Sequence, residues 1–254
     1  MFRYVYDGSF AGLLTALYYI FHRKEVPYEI VSQVDSGNDS ILQTRVVETD
    51  QAIADDVYQG LVRKNSRQIA RDVYCLYLSE QPGFEILLYD FLKKIGKYGS
   101  AYASNTADQT MLQVYKTVRK VQSERHRMLG LLRFRNLQND ILYASMEPDH
   151  NIVELVAPHF AERLAEQLWI IHDCKRSRAA FYDGTQWVIG YLQGTQALSD
   201  MLDDNQLYEM LWKTYFAHIG IAGKQNPKLQ KQHLPGRYRK HMTEFFRNEN
   251  EKVD

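Results

Sequence analysis

Lys224, Lys228, Lys231, Arg237, Arg239 and Lys240 crowd the stretch from Lys224 to Thr243, with His233 and His241 among them and no acidic residue. Cations so grouped bind a phosphate backbone by replacing condensed counterions, and arginine adds a planar fork that fits phosphate oxygens. Asn226, Gln232 and Tyr238 in the same stretch have the donors, acceptors and ring needed for base edges, phosphates or stacking. The plainer alternative is a solvated basic tail, or one whose arginines pair with acids of its own fold. A second basic set lies in KTVRKVQSERHRMLGLLRFR, where Lys116, Arg119, Lys120, Arg125, Arg127, Arg133 and Arg135 are opposed by Glu124 alone. At helical spacing Lys116, Lys120 and Arg127 fall on one side, and Arg133 and Arg135 share a face if the following residues form a strand. A solvated helix face explains this set equally well.

Two histidines are candidate acid–base groups, since an imidazole titrates near neutrality. His126 sits between the apolar and basic sides of its helical stretch, and His159 lies in EPDHNIVELVAPHFAERL together with Glu147, Asp149, His150, Glu154 and Glu162. His159 and Glu162, three residues apart, could hold a metal with a loop carboxylate, but this spacing is common by chance and capping or surface charge accounts for it. Asp55-Asp56 and Asp203-Asp204 read as helix starts rather than acid dyads. The chain has no G-x-x-x-x-G-K-[ST] loop, no G-x-G-x-x-G after a strand, no G-x-S-x-G elbow, no H-E-x-x-H and no deaminase H-x-E with P-C-x-x-C. P-loop hydrolysis and the usual zinc chemistries are therefore disfavoured, and no resident metal or cofactor is expected.

The elements that must carry these groups follow from periodicity. FRYVY alternates as a strand ended by Asp7-Gly8, and Phe10, Leu13, Leu14, Leu17 and Phe21 mark a helix with Ser9 as N-cap. ILQTRVVET, after the loop DSGND, reads as a second strand. From Gln51 to about Phe134 three helices fit, broken at Gln81-Pro82-Gly83 and between Gly96 and Asn105, the last near Asp108 to Met128. GLLRFR, ILYASME, WIIHD, AAFYD and WVIGYL then read as strands, with a helix beginning near Pro158 and a turn at Asp183-Gly184. A further helix should follow Asp203-Asp204, and beyond Gly220 a basic loop leads to a last short helix. The fold class is α+β: a helical N-terminal half with one or two strands, then an antiparallel sheet of about five strands in the order ββαβββ, flanked by helices. Residues 1–100 form the α-rich region and 101–254 the α+β region with its basic tail, unless the two make one compact domain.

At 254 residues with 45% hydrophobic content the chain can bury a sizeable core, and 31 basic against 31 acidic residues make net charge silent about partners. Two cysteines, Cys75 and Cys174, cannot supply a four-thiolate cluster and read as two buried thiols in a reducing compartment. No apolar run reaches the roughly 18 residues of a spanning helix and MFRYVYDGSF lacks a signal-peptide core, so cytoplasm is expected and no membrane partner.

YVYDGSFAGLLTALYY, HRMLGLLRF, EPDHNIVELVAPHFAERL and NPKLQKQHLPGRY together resemble a bacterial family of uncharacterised proteins thought to act in DNA metabolism or repair. Its members are encoded beside a radical-SAM protein, and its C-terminal half also occurs fused to a uracil-DNA-glycosylase-like domain, of which this chain has no counterpart. The resemblance runs over nearly the whole chain. It implies functional weight at Asp7, Gly8, Phe10, His126, Arg127, Phe134, Arg135, Pro158, His159 and Phe160. In the tail it implies the same for Asn226, Pro227, Gln232, His233, Pro235, Arg237 and Tyr238. Lys231 stands where the family usually has arginine, which keeps the charge and loses the fork.

The expected function is thus nucleic-acid binding, chiefly to DNA, in partnership with a radical-SAM protein. The binding residues are Lys116, Lys120, Arg127, Arg133, Arg135, Lys228, Lys231, Gln232, His233, Arg237, Tyr238 and Arg239. One alternative is an enzyme acting on a base or nucleotide through His126 or His159 with a carboxylate. The other is a structural partner subunit without nucleic-acid affinity. The sequence does not establish a catalytic activity.

Overall fold

The computed structural model describes residues 2–33, 43–64, 66–137, 141–192, 238 and 241–242. The chain forms two compact units, Met1–Gln122 and Ser123–Asp254, which divide inside a helix.

In the first unit β1 (Phe2–Tyr6) leads through Asp7-Gly8-Ser9 into α1 (Phe10–His22), and β2 (Pro27–Ser32) and β3 (Gln43–Val46) flank β1 in a parallel sheet of order β2-β1-β3. Ser9 is the N-cap the sequence predicts, its Oγ accepting from the Gly12 amide at 2.9 Å. The strand β2 escapes a pattern reading because it opens on a proline and carries Glu29, yet as an edge strand it pairs Tyr4 with Ile30. The helices α2 (Gln51–Lys64), α3 (Arg67–Ser79) and α4 (Phe84–Tyr98) and the start of α5 (Gln109–Leu131) complete the unit, with a 3-10 turn at Ser100–Ser104. Four helices thus stand where three were expected. The extra break falls at Ser66, whose hydroxyl caps the Ile69 amide at 3.2 Å without a glycine or proline to announce it. The core includes Tyr4, Leu13, Leu17, Ile20, Ile30, Val73, Leu76, Leu88 and Phe91, all almost fully buried.

The second unit holds the end of α5 and a sheet of order β4-β5-β6-β7-β8: Arg135–Leu137, Ile141–Met146, Trp169–Asp173, Arg178–Tyr182 and Trp187–Tyr191. The ββαβββ order holds, but the sheet is mixed rather than antiparallel, because β5 and β6 run parallel across α6 (Val153–Arg163). A strand–helix–strand connection returns the chain to the same edge and so in the same direction. Two boundaries also move. Gly130-Leu131 of GLLRFR belong to α5, and the strand opens at Arg135. The helix α6 starts at Val153, more than a turn before Pro158, which lies inside it and at the surface. Among the described residues no helix is long and apolar enough to cross a membrane. The expected helix after Asp203-Asp204 lies outside the described residues.

Candidate functional site

Pairing register sorts the side chains of the second sheet onto two faces. Leu142, Ala144 and Met146 of β5 align with Trp169, Ile171 and Asp173 of β6 and with Tyr182, Ala180 and Arg178 of β7. Apart from Leu142 and Arg178, these are buried. The helix α6 covers this face: Arg178 pairs with Glu154, Val153, Val156, Ala157 and Phe160 are buried, and just past the helix the Ala165 carbonyl accepts from the Tyr182 hydroxyl at 3.2 Å.

The opposite face is built differently. Arg135 of β4 stands opposite Tyr143, Tyr143 and Ser145 of β5 align with Ile170 and His172 of β6, and these align with Phe181 and Ala179 of β7. Cys174 continues the alternation one step past β6, where its amide donates to the Met146 carbonyl at 2.9 Å. Arginine, tyrosine, serine, histidine and cysteine thus share one face, and all but His172 are half-buried. Alternation places them there, and a face without α6 over it tolerates them.

Three of these groups meet. The Tyr143 hydroxyl lies 2.8 Å from His172 Nδ1, and Cys174 Sγ lies 3.6 Å from the same nitrogen. Burial holds the imidazole below its usual pKa, partly offset by the Leu192 backbone. Burial, reinforced by the nearby Cys174 sulfur, raises the tyrosine pKa well above 10 despite the opposing charge of Arg135. Both shifts favour the uncharged forms, and in the tautomer that leaves Nδ1 without a proton the phenol donates to it. The turn that carries Cys174 is fixed from below by Asp173, fully buried, whose carboxylate accepts from the Lys175 amide at 3.0 Å and pairs with Arg176 at 2.8 Å. Arg176 also donates to the Pro148 and Asp149 carbonyls.

On the same face His241 brings in the C-terminal segment, its Nδ1 2.9 Å from Ser145 Oγ and its Nε2 3.6 Å from a Glu147 oxygen. Tyr238 and Met242 are buried to the same degree as core residues. The Tyr238 hydroxyl donates to Glu124, which lies 1% exposed on the apolar side of α5 and also accepts from the Asp149 amide at 2.8 Å and the His150 amide at 2.9 Å.

The residues singled out in the sequence are placed as follows. Lys116 and Lys120 are exposed on α5, as is Arg119. Arg127 is half-buried, and its Nε is shielded from solvent with no hydrogen-bond partner among the described residues. Arg133 donates to the Gly130 and Leu132 carbonyls at 2.9 and 3.3 Å, satisfying acceptors at the end of α5. Arg135 joins the polar sheet face. Tyr238, expected to stack or bind phosphate, shows no ring face at the surface and instead ties the tail to Glu124. His126 is exposed and His159 half-buried with its ring edge-on to Phe160, and neither has a carboxylate partner among the described residues. Lys228, Lys231, Gln232, His233, Arg237 and Arg239 lie outside the described residues.

The groups the sequence reading passed over are Tyr143, Ser145, His172 and Cys174. Cys75 is buried as expected, whereas Cys174 is half-buried. The available signal was period two: reactive side chains at alternate positions of ILYASM and WIIHDC, strands otherwise apolar.

A family model described as a domain of unknown function, DUF4130, matches residues 82–244, well over half of the chain. No curated protein matches it.

Proposed function

The chain belongs to the DUF4130 family, and we propose that it is a nucleic-acid-binding protein of DNA metabolism that works with a radical-SAM partner. The observation that carries the binding is on α5. Lys116, Arg119 and Lys120, spaced i, i+3 and i+4, are exposed on one helix face and make no ion pair or hydrogen bond among the described residues. Cations so spaced repel one another unless an anion stands between them, and a phosphate backbone supplies anions at a matching spacing. The acid-free composition of residues 224–243 supplies further cations. The assignment to DNA metabolism and to a radical-SAM partner rests on the family resemblance of the four sequence phrases.

Fluorescence anisotropy with single- and double-stranded oligonucleotides across a salt series tests the reading. Each phosphate contact contributes about 0.9 to the slope of log affinity against log salt, so replacing Lys116, Arg119 and Lys120 by alanine together should flatten that slope by about 2–3. The pair Arg237→Ala with Arg239→Ala should weaken binding further. No binding at low salt, or a slope unmoved by the triple substitution, refutes the reading.

A further inference from the structure

We propose that Cys174 is a nucleophilic thiol, with His172 as its proton acceptor and Tyr143 as a hydrogen-bond donor to the thiolate, and that it takes soft carbon electrophiles. This site is independent of the nucleic-acid contacts on α5.

The case rests on arrangement. A thiol reacts as its thiolate, so a nucleophilic cysteine needs a base within reach, stabilisation of the resulting anion, and access. The base is His172 Nδ1, 3.6 Å from Sγ, acting in the tautomer whose proton sits on Nε2 and to which the Tyr143 hydroxyl donates at 2.8 Å. The stabiliser is Tyr143, which lies against both partners: its hydroxyl bonds Nδ1 when the thiol is intact and is placed to turn to sulfur when the thiol ionises. Cys174 is half-buried rather than buried, which leaves part of it open to a small reagent. Pre-organisation comes from the turn, whose backbone is held by Asp173 and Arg176 and by the Cys174 amide bond to Met146.

The step balances within the site. As Sγ attacks the electrophilic carbon, the S–H proton passes to His172 Nδ1, the S–C bond forms, and the bond to the leaving group breaks with its electron pair. The leaving group departs as an anion and the imidazolium returns the proton to solvent. Cys75, fully buried, is an internal reference, although its sulfur already lies 2.9 Å from the Gln122 amide group.

Iodoacetamide is the probe, with modification of each cysteine in the full chain followed by peptide mass spectrometry from pH 6 to 9. Cys174 should react more than tenfold faster than Cys75, and His172→Gln should slow it about tenfold, the change in thiolate for one unit of thiol pKa. Tyr143→Phe should slow it several-fold and move the pH midpoint of the reaction upward. The thiolate absorbance near 240 nm, taken as wild type minus Cys174→Ser, gives that midpoint without either histidine or tyrosine variant. A Cys174 midpoint at or above that of an ordinary free thiol, or a rate the same in wild type and both variants, overturns the proposal.

Discussion

Replacing Glu124 with alanine removes the acceptor shared by three donors, the Asp149 and His150 amides and the Tyr238 hydroxyl. Glu124 is 1% exposed and His150 is buried, so water does not step in cheaply for the His150 amide. An unsatisfied buried donor costs about 1–3 kcal/mol, and with the His150 amide and the Tyr238 hydroxyl stranded and a cavity left behind Glu124→Ala should destabilise the second unit by about 3–5 kcal/mol. Glu124→Gln keeps the shape but turns one acceptor into a donor facing a donor, for a loss of about 1–3 kcal/mol. Tyr238→Phe removes one donor to the buried Glu124 side chain and should cost about 1–3 kcal/mol. Since Glu124 is the shared partner, the losses should not add: Glu124→Ala combined with Tyr238→Phe should cost less than the sum of the singles. Urea unfolding gives these differences, and amide exchange at Asp149 and His150 gives a local readout that speeds with Glu124→Ala and stays nearly unchanged with Tyr238→Phe. A Glu124→Ala cost under about 1 kcal/mol, or strictly additive losses, would refute the reasoning.

The first unit carries two further tests. A Cβ on Gly12 would lie 2.2 Å from Asp7 Oδ1 and 2.7 Å from Thr49 Oγ1. Because Asp7 already accepts from Ser9 and Thr49, Gly12→Ala should break those bonds and cost about 1–2 kcal/mol in a thermal melt; a neutral or stabilising effect would show that the Asp7 turn is not tightly set. Asp108 is held at about 2 rather than 3.8 by the Lys94 ammonium first, and by the Met111 amide and the Tyr102 hydroxyl after it. A carboxylate with a depressed folded-state pKa contributes stability above its unfolded value, and that contribution is lost as pH falls toward about 2. Asp108→Asn should therefore lower the melting temperature near neutrality and converge with wild type in strong acid; a gap that persists below pH 2 would assign the effect to packing instead.

Legibility from the sequence tracked how local the determining force is. The helix α1, with its Ser9 cap, and the strands at Trp169–Asp173 and Trp187–Tyr191 were readable because alternation, helical spacing and capping act within a few residues. The parallel pairing of β5 with β6 was not, because direction is set by the route of the chain through α6 and not by either strand. The start of α6 was misplaced for a related reason: Pro158 has the local character of a first-turn residue, while burial of Val153, Val156 and Ala157 against the sheet extends the helix upstream of it. The Tyr143–His172–Cys174 group could not be brought together from the alternation of either strand alone, for a third reason. Its members are spread over two strands, and a register joins them that no single segment encodes.

Glu124 bears on the nucleic-acid reading in two opposite directions. In the sequence it is the one acid within residues 116–135, and a surface carboxylate there would partly neutralise the cations around it. Instead it faces inward and spends its oxygens on two backbone amides and a phenol, and none of them forms an ion pair with Lys116, Arg119 or Lys120 among the described residues. The same contact removes Tyr238 from the binding residues, because a ring 2% exposed cannot stack on a base. Charge therefore gains and aromatic readout loses. Binding of this kind is governed by phosphate contacts and salt more than by base identity, which is the behaviour to expect where cations, rather than the one described aromatic of the basic tail, reach the surface.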